Sequence, residues 1–158
     1  LLKAFEEQQA LPRKIERIVA YSMGGLVAFE MIKLLEKRGV QVAQFVIWDK
    51  PAQLRYEPHY DDILHPALHE YATQLAQDEQ HQLQITQYLK LHQAMIEEYV
   101  QVGQITSDLK LFYCQEGFDK KAIEDWSKLT RGTLTLSPLP KGISHYDIPT
   151  YWKQRKAL

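Results

Sequence analysis

Apolar positions along this chain follow two different periods, and the alternation between them predicts an α/β architecture. Short, continuous apolar or β-branched runs occur at Ile15 to Tyr21, Val42 to Trp48, Leu109 to Cys114 and Leu134 to Leu139. Runs of that length, bounded by polar or turn residues, read as buried strands. Between the first two, Leu26, Phe29, Ile32 or Lys33, Leu34 and Leu35 recur at helical spacing, and Lys37, Arg38 and Gly39 close that helix. Cations near the negative end of a helix, followed by glycine, are a stop signal. Lys120 to Leu129 reads as a further helix, residues 149–157 as a closing helix that Pro149 starts, and residues 1–10 as a leading one that Leu11-Pro12 ends. Strands alternating with helices predict a parallel sheet with flanking helices and right-handed crossovers.

Residues 51–105 break this rhythm. They are rich in Gln, His and Tyr and poor in β-branched residues. Two helical stretches are expected there, about 66–78 and 82–101, the second carrying a stripe of Ile85, Tyr88, Leu89, His92, Met95, Ile96 and Tyr99. The segment therefore reads as a helical lid insertion between the second and third strands of a single domain spanning 1–158.

Composition narrows the function classes. A net charge of −1 provides no basic field to recruit nucleic acid or an anionic membrane surface. No apolar run approaches the roughly 18 residues of a membrane span, and no secretory signal pattern is present. The single cysteine, Cys114, cannot form an internal disulfide and fits a reducing cytoplasm; in a predicted strand it reads as a small core residue.

The chemistry concentrates at Ala20-Tyr21-Ser22-Met23-Gly24-Gly25, at the junction of the first strand and its helix. A serine between small residues at such a junction has the form of a nucleophile elbow, G-x-S-x-G, with Ala20 in place of the first glycine. The turn would aim the Met23 N–H, at the start of the helix, toward negative charge forming on a substrate, an oxyanion-hole role. The competing reading is a serine N-cap with two glycines for close packing. A serine hydroxyl needs a base, and the base an orienting carboxylate. In a parallel sheet all strand C-termini open on one edge. Ser22 follows the first strand, Asp49 the second, Asp119 comes shortly after the third, and His145 follows the fourth behind Gly142. Ser…Asp…His is the triad order of α/β hydrolases. His65 and His69 have the i,i+4 spacing of metal ligands, but Pro66 lies between them and no third ligand is evident. His59, His81 and His92 belong to no motif.

The stretch Tyr21-Ser22-Met23-Gly24-Gly25-Leu26-Val27-Ala28-Phe29-Glu30-Met31 resembles the thioesterase domains of non-ribosomal peptide synthetases and polyketide synthases, which carry G-Y-S-x-G-G-x-x-A-F-E at this place. The resemblance continues through Leu35 to Gly39, Phe45-Val46-Ile47-Trp48-Asp49, Glu116-Gly117-Phe118-Asp119, Trp126 and Gly142 to His145. It implies Ser22 as nucleophile, Asp49 as orienting acid and His145 as base. It also implies an acyl or peptidyl chain presented as a thioester on the phosphopantetheine arm of a carrier-protein domain, released by hydrolysis or cyclisation. That arm belongs to the partner, so the chain itself would carry no cofactor and no metal. Asp119 keeps a rival claim as the acid, since stand-alone editing thioesterases place theirs after the next strand. Such an editing enzyme, or a non-catalytic carrier-binding module, is the alternative function. The family has several strands before the elbow, including the loop that gives the second oxyanion N–H, whereas this sequence has at most a helix there. The expectation is therefore the C-terminal portion of an α/β-hydrolase fold with its N-terminal part missing.

Overall fold

A computed structural model of the chain describes residues 12–52, 78–116 and 120–154. The chain divides into two compact units, Leu1–Ala52 with Gln101–Leu158, and Gln53–Val100. In the first unit β1 (Lys14–Tyr21), β2 (Gln41–Trp48), β3 (Asp108–Tyr113) and β4 (Leu134–Pro138) form one sheet in the order β1-β2-β3-β4. Every pairing is parallel, as the strand–helix alternation predicts. The register aligns Tyr21, Trp48, Phe112 and Ser137 in a single row across all four strands. The next residue of each of the first two strands, Ser22 and Asp49, therefore stands at the C-terminal edge of the sheet.

Alternation along β2 feeds two apolar layers. On one face, α1 (Gly24–Lys37) packs against β1 and β2. Gly25, Leu26, Ala28, Phe29, Ile32 and Leu35 are its buried residues, while Leu34 turns out to be 41% exposed and lies off the apolar face. Phe45 and Phe29 each meet the Trp126 indole edge-on, at 6.2 and 6.0 Å between ring centres. Val46 and Trp48 point the other way and cluster with Cys114, Leu139 and Ile148, with Tyr21, Phe112, Ile143 and Tyr151 packed around them. Trp48 stacks on Phe112 at 4.2 Å and on Trp152 at 6.0 Å.

The helix between β3 and β4 differs from expectation. It runs as a short α3 (Lys120–Glu124) and then tightens into a 3-10 turn, Asp125–Lys128. The tightening accompanies the complete burial of Trp126, whose Nε1–H donates to the Lys50 carbonyl at 2.8 Å. The C-terminal helix, α4 (Ile148–Gln154), is likewise preceded by a 3-10 turn, His145–Asp147, rather than starting at Pro149. The end of α1 follows the stop signal: Gly39 has φ +78°, and the Val40 N–H reaches back to the Leu35 carbonyl at 3.0 Å.

In the second unit, α2 (Glu79–Glu98) starts earlier than the apolar stripe suggests, because Asp78 caps it. The Asp78 Oδ1 accepts from the His81 N–H at 2.7 Å, satisfying one of the donors left over at a helix start. Within the expected stripe Ile85 is half-buried and Tyr88 is exposed. The expected helix at 1–10, and all but the last residue of that at about 66–78, lie outside the described residues, as do His59, His65, His69 and Asp119. No described helix is long and apolar enough to cross a membrane.

Candidate active site

Ser22 sits at the tip of a sharp strand-to-helix turn with φ +52°. Its N–H still belongs to the sheet, donating to the Trp48 carbonyl at 2.8 Å, while its carbonyl already belongs to the helix, accepting from the Gly25 N–H at 2.9 Å. The chain changes from strand to helix within that one residue. A serine gains nothing locally from the left-handed region, which costs of order 1–3 kcal/mol and persists where the surroundings over-determine it, typically at functional sites. Met23, with φ −57° and ψ −26°, is the N-cap of α1, and no side-chain hydrogen bond caps that helix. Ser22 is therefore not an N-cap serine. Its neighbours carry the tight packing unequally. A Cβ on Gly25 would lie 3.2 Å from Ile47 Cγ2, whereas a Cβ on Gly24 meets no described atom within 4 Å. The close approach therefore falls three residues after the serine, at Gly25.

Asp49 mirrors Ser22 on the adjacent strand. It also has positive φ, +53°, and its N–H donates to the Phe112 carbonyl at 2.7 Å. Its carboxylate is buried, at 1% exposure, and both oxygens are engaged. Oδ1 accepts from the Cys114 N–H at 2.6 Å, and Oδ2 lies 2.8 Å from His145 Nδ1. A carboxylate only accepts, so this contact places the hydrogen of a neutral imidazole on Nδ1 and leaves Nε2 as the basic nitrogen.

His145 opens the 3-10 turn after β4. Ser144 caps this turn: its N–H and Oγ–H both donate to Asp147 Oδ2, at 2.9 and 2.6 Å. Those two hydrogen bonds hold the Asp147 carboxyl below its ordinary range. The Tyr21 ring lies against the imidazole, 4.9 Å between centres and 25° from parallel, and its hydroxyl donates to the His145 carbonyl at 2.7 Å. Tyr146 meets the same imidazole edge-on at 5.5 Å. Burial, and then the Asp49 charge, push the Tyr21 phenol up to about 12. Burial together with Asp49 pushes the Cys114 thiol up to about 12 as well, so the thiol stays protonated and non-nucleophilic.

The structure thus brings Asp49 and His145 into contact across 96 residues of sequence, at the same sheet edge as Ser22. Several contributors escaped sequence reasoning. The Cys114 amide has no signal, because any residue offers an N–H. The Ser144-x-x-Asp147 spacing is a capping-box pattern and was readable. Among the described residues, no group of three His, Cys, Asp or Glu side chains is arranged to hold a metal ion.

Comparison with known proteins bears on the family and the fold. The model of a family described as "Thioesterase domain" matches residues 8–144. ClbQ, from the colibactin NRPS/PKS pathway, superposes with a TM-score of 0.74 at 18% identity, over 97% of this chain and 69% of that one. The thioesterase domain SrfTE, described in connection with cyclisation of the lipopeptide antibiotic surfactin, superposes with a TM-score of 0.69 at 15% identity, over 99% of this chain and 73% of that one. The Vlm2 thioesterase domain carrying 2,3-diaminopropionic acid and bound with a dodecadepsipeptide gives 0.60 at 20% identity, over 84% of this chain. The present chain spans 61% of that domain's length. At such identities the three likenesses speak for the fold. No curated protein sequence matches the chain.

Proposed function

The chain belongs to the thioesterase-domain family, and from that membership and the Asp49–His145 contact we propose that it is a serine thioesterase of the assembly-line type. Its substrate is an acyl or peptidyl chain held as a thioester on the phosphopantetheine arm of a carrier-protein domain. The observation that carries the reading is the 2.8 Å contact between a buried carboxylate and His145 Nδ1, at the same sheet edge as a serine at φ +52°. With Nδ1–H held by Asp49, Nε2 of His145 accepts the Ser22 proton as Oγ attacks the thioester carbonyl. The tetrahedral oxyanion forms near the start of α1, where the Met23 N–H is the donor. Its collapse expels the pantetheine thiolate, which His145 protonates. Water, or a nucleophile within the acyl chain, then takes the acyl group from Ser22 by the reverse sequence. The choice of Asp49 over Asp119 rests on its contact with Nδ1 and favours the chain-release reading over the editing-enzyme one.

Reaction with a fluorophosphonate probe tests the nucleophile. One equivalent should label the chain at Ser22, Ser22→Ala should abolish labelling, and an acylated carrier protein should compete. Labelling elsewhere, or none, would refute the serine mechanism.

A further inference from the structure

We propose that Tyr21 is a positioning residue for His145, fixing the imidazole by its ring and the backbone of the same histidine by its hydroxyl. The proposal rests on the reading of Ser22, Asp49 and His145 as a triad, and deepens it. Two contacts of different chemistry converge on one residue. The Tyr21 ring lies nearly parallel to the imidazole at 4.9 Å, and the Tyr21 Oη–H donates to the His145 carbonyl at 2.7 Å. The first restrains rotation of the imidazole about its χ angles. The second restrains the 3-10 turn that carries it, from a point 124 residues away in sequence.

The need for such a restraint follows from where His145 sits. Its turn is three residues long, none of them buried, and its capping hydrogen bonds between Ser144 and Asp147 are solvent-exposed. Asp49 holds only Nδ1. A ring fixed at one nitrogen can still pivot about that bond, and pivoting swings Nε2, the atom that must meet the serine. Tyr21 removes that freedom by covering one face of the ring. It is also the last residue of β1 and is bonded directly to Ser22. Its backbone is held in register with Trp48, the residue before Asp49. The elbow and the base are thereby referred to the same rigid strand end. The Tyr21 hydroxyl remains protonated throughout the useful pH range, so it is a permanent donor. As His145 becomes an imidazolium during acylation, the π face of Tyr21 also lies against the developing charge. Among the described residues, Asp49 and Tyr146 also face the imidazole.

The two contacts are separable by substitution. Tyr21→Phe keeps the ring and removes the hydroxyl; Tyr21→Leu removes both. The readouts are the rate of fluorophosphonate labelling at Ser22 and the proton NMR resonances of the His145 imidazole, each on the 158-residue chain. Tyr21→Phe should slow labelling about 10-fold, the size of one lost hydrogen bond. Tyr21→Leu should slow it about 100-fold, as a misplaced reacting group does. The low-field Nδ1–H resonance of the Asp49–His145 pair should persist in Tyr21→Phe and broaden or vanish in Tyr21→Leu. A purely packing role would instead lower the melting temperature while leaving the labelling rate of the folded protein and the resonance alone, and that result overturns the proposal. So does a Tyr21→Phe variant that labels at the unaltered rate. If Ser22 does not label in the unaltered protein but the imidazole resonances respond as stated, the nucleophile assignment falls and the positioning role stands.

Discussion

Asp49 concentrates more of the site's chemistry than any other single residue, since one carboxylate ties β2 to the Cys114 amide and to the His145 ring. Asp49→Asn preserves shape but can offer an N–H where Nδ1 already has one, which favours the wrong tautomer. Turnover in an acyl-carrier hydrolysis assay should fall by about 10⁴ while the circular dichroism spectrum is retained. Sequence order alone left this aspartate level with Asp119, and the family resemblance of Val46-Ile47-Trp48-Asp49 favoured it; the Nδ1 contact supports the proposed choice of Asp49, while Asp119 lies outside the described residues. The positive φ of Ser22 was implicit in the elbow motif, whereas that of Asp49 had no signal, because an aspartate after a strand is common in any conformation. Lys50, the next residue, offers a test through pH. Burial pulls its ammonium from 10.5 down to about 8. The unfolded chain therefore binds more protons between about pH 8 and 10.5, and the protein gains stability as pH rises through that window. Urea titrations at pH 8 and pH 10 should read that gain, and Lys50→Met should remove it.

At the level of elements, the existence of the four strands and of the helices among the described residues was legible because each apolar run was short and each helical stripe periodic. Element ends were less so. The break of the 120–128 helix into α-helical and 3-10 parts answers to the buried Trp126 and its bond to Lys50, a tertiary demand that no local pattern announces. Two connections outside the site carry testable weight. Where the chain enters β4, a Cβ on Gly132 would lie 2.5 Å from the Ser107 carbonyl oxygen, itself held by the Thr130 hydroxyl at 2.6 Å. The obstacle is backbone, so Gly132→Ala should destabilise the protein by about 1–3 kcal/mol in denaturant titration. At the end of α1, Glu36 accepts from the Thr106 N–H at 2.9 and 3.0 Å and from the Thr106 hydroxyl at 2.8 Å. This carboxylate staples the helix to the segment leading into β3. Glu36→Ala should cost about 1–2 kcal/mol, less than a buried charge-assisted pair because the staple faces solvent.

On the scale of the whole molecule, β1 has β2 as its sheet neighbour on one side and no strand on the other among the described residues. Val19 on this strand is 41% exposed. Parallel strands are ordinarily covered, and an open edge is a template for pairing with another copy. The purified 158-residue chain should therefore self-associate in light-scattering-coupled size exclusion, and Val19→Lys should reduce that association. A monodisperse monomer at high concentration would contradict this. The single row of Tyr21, Trp48, Phe112 and Ser137 has a further meaning for molecules that fold imperfectly. A slip of one residue at either of the first two pairings would still yield a hydrogen-bonded sheet, yet it would turn Asp49 away from Cys114 or carry Tyr21 away from His145. Bulk spectroscopy would scarcely notice. A covalent probe that reacts only with an assembled triad would, so titrating Ser22 after refolding counts the fraction of chains threaded correctly, and makes the site an internal gauge of its own sheet.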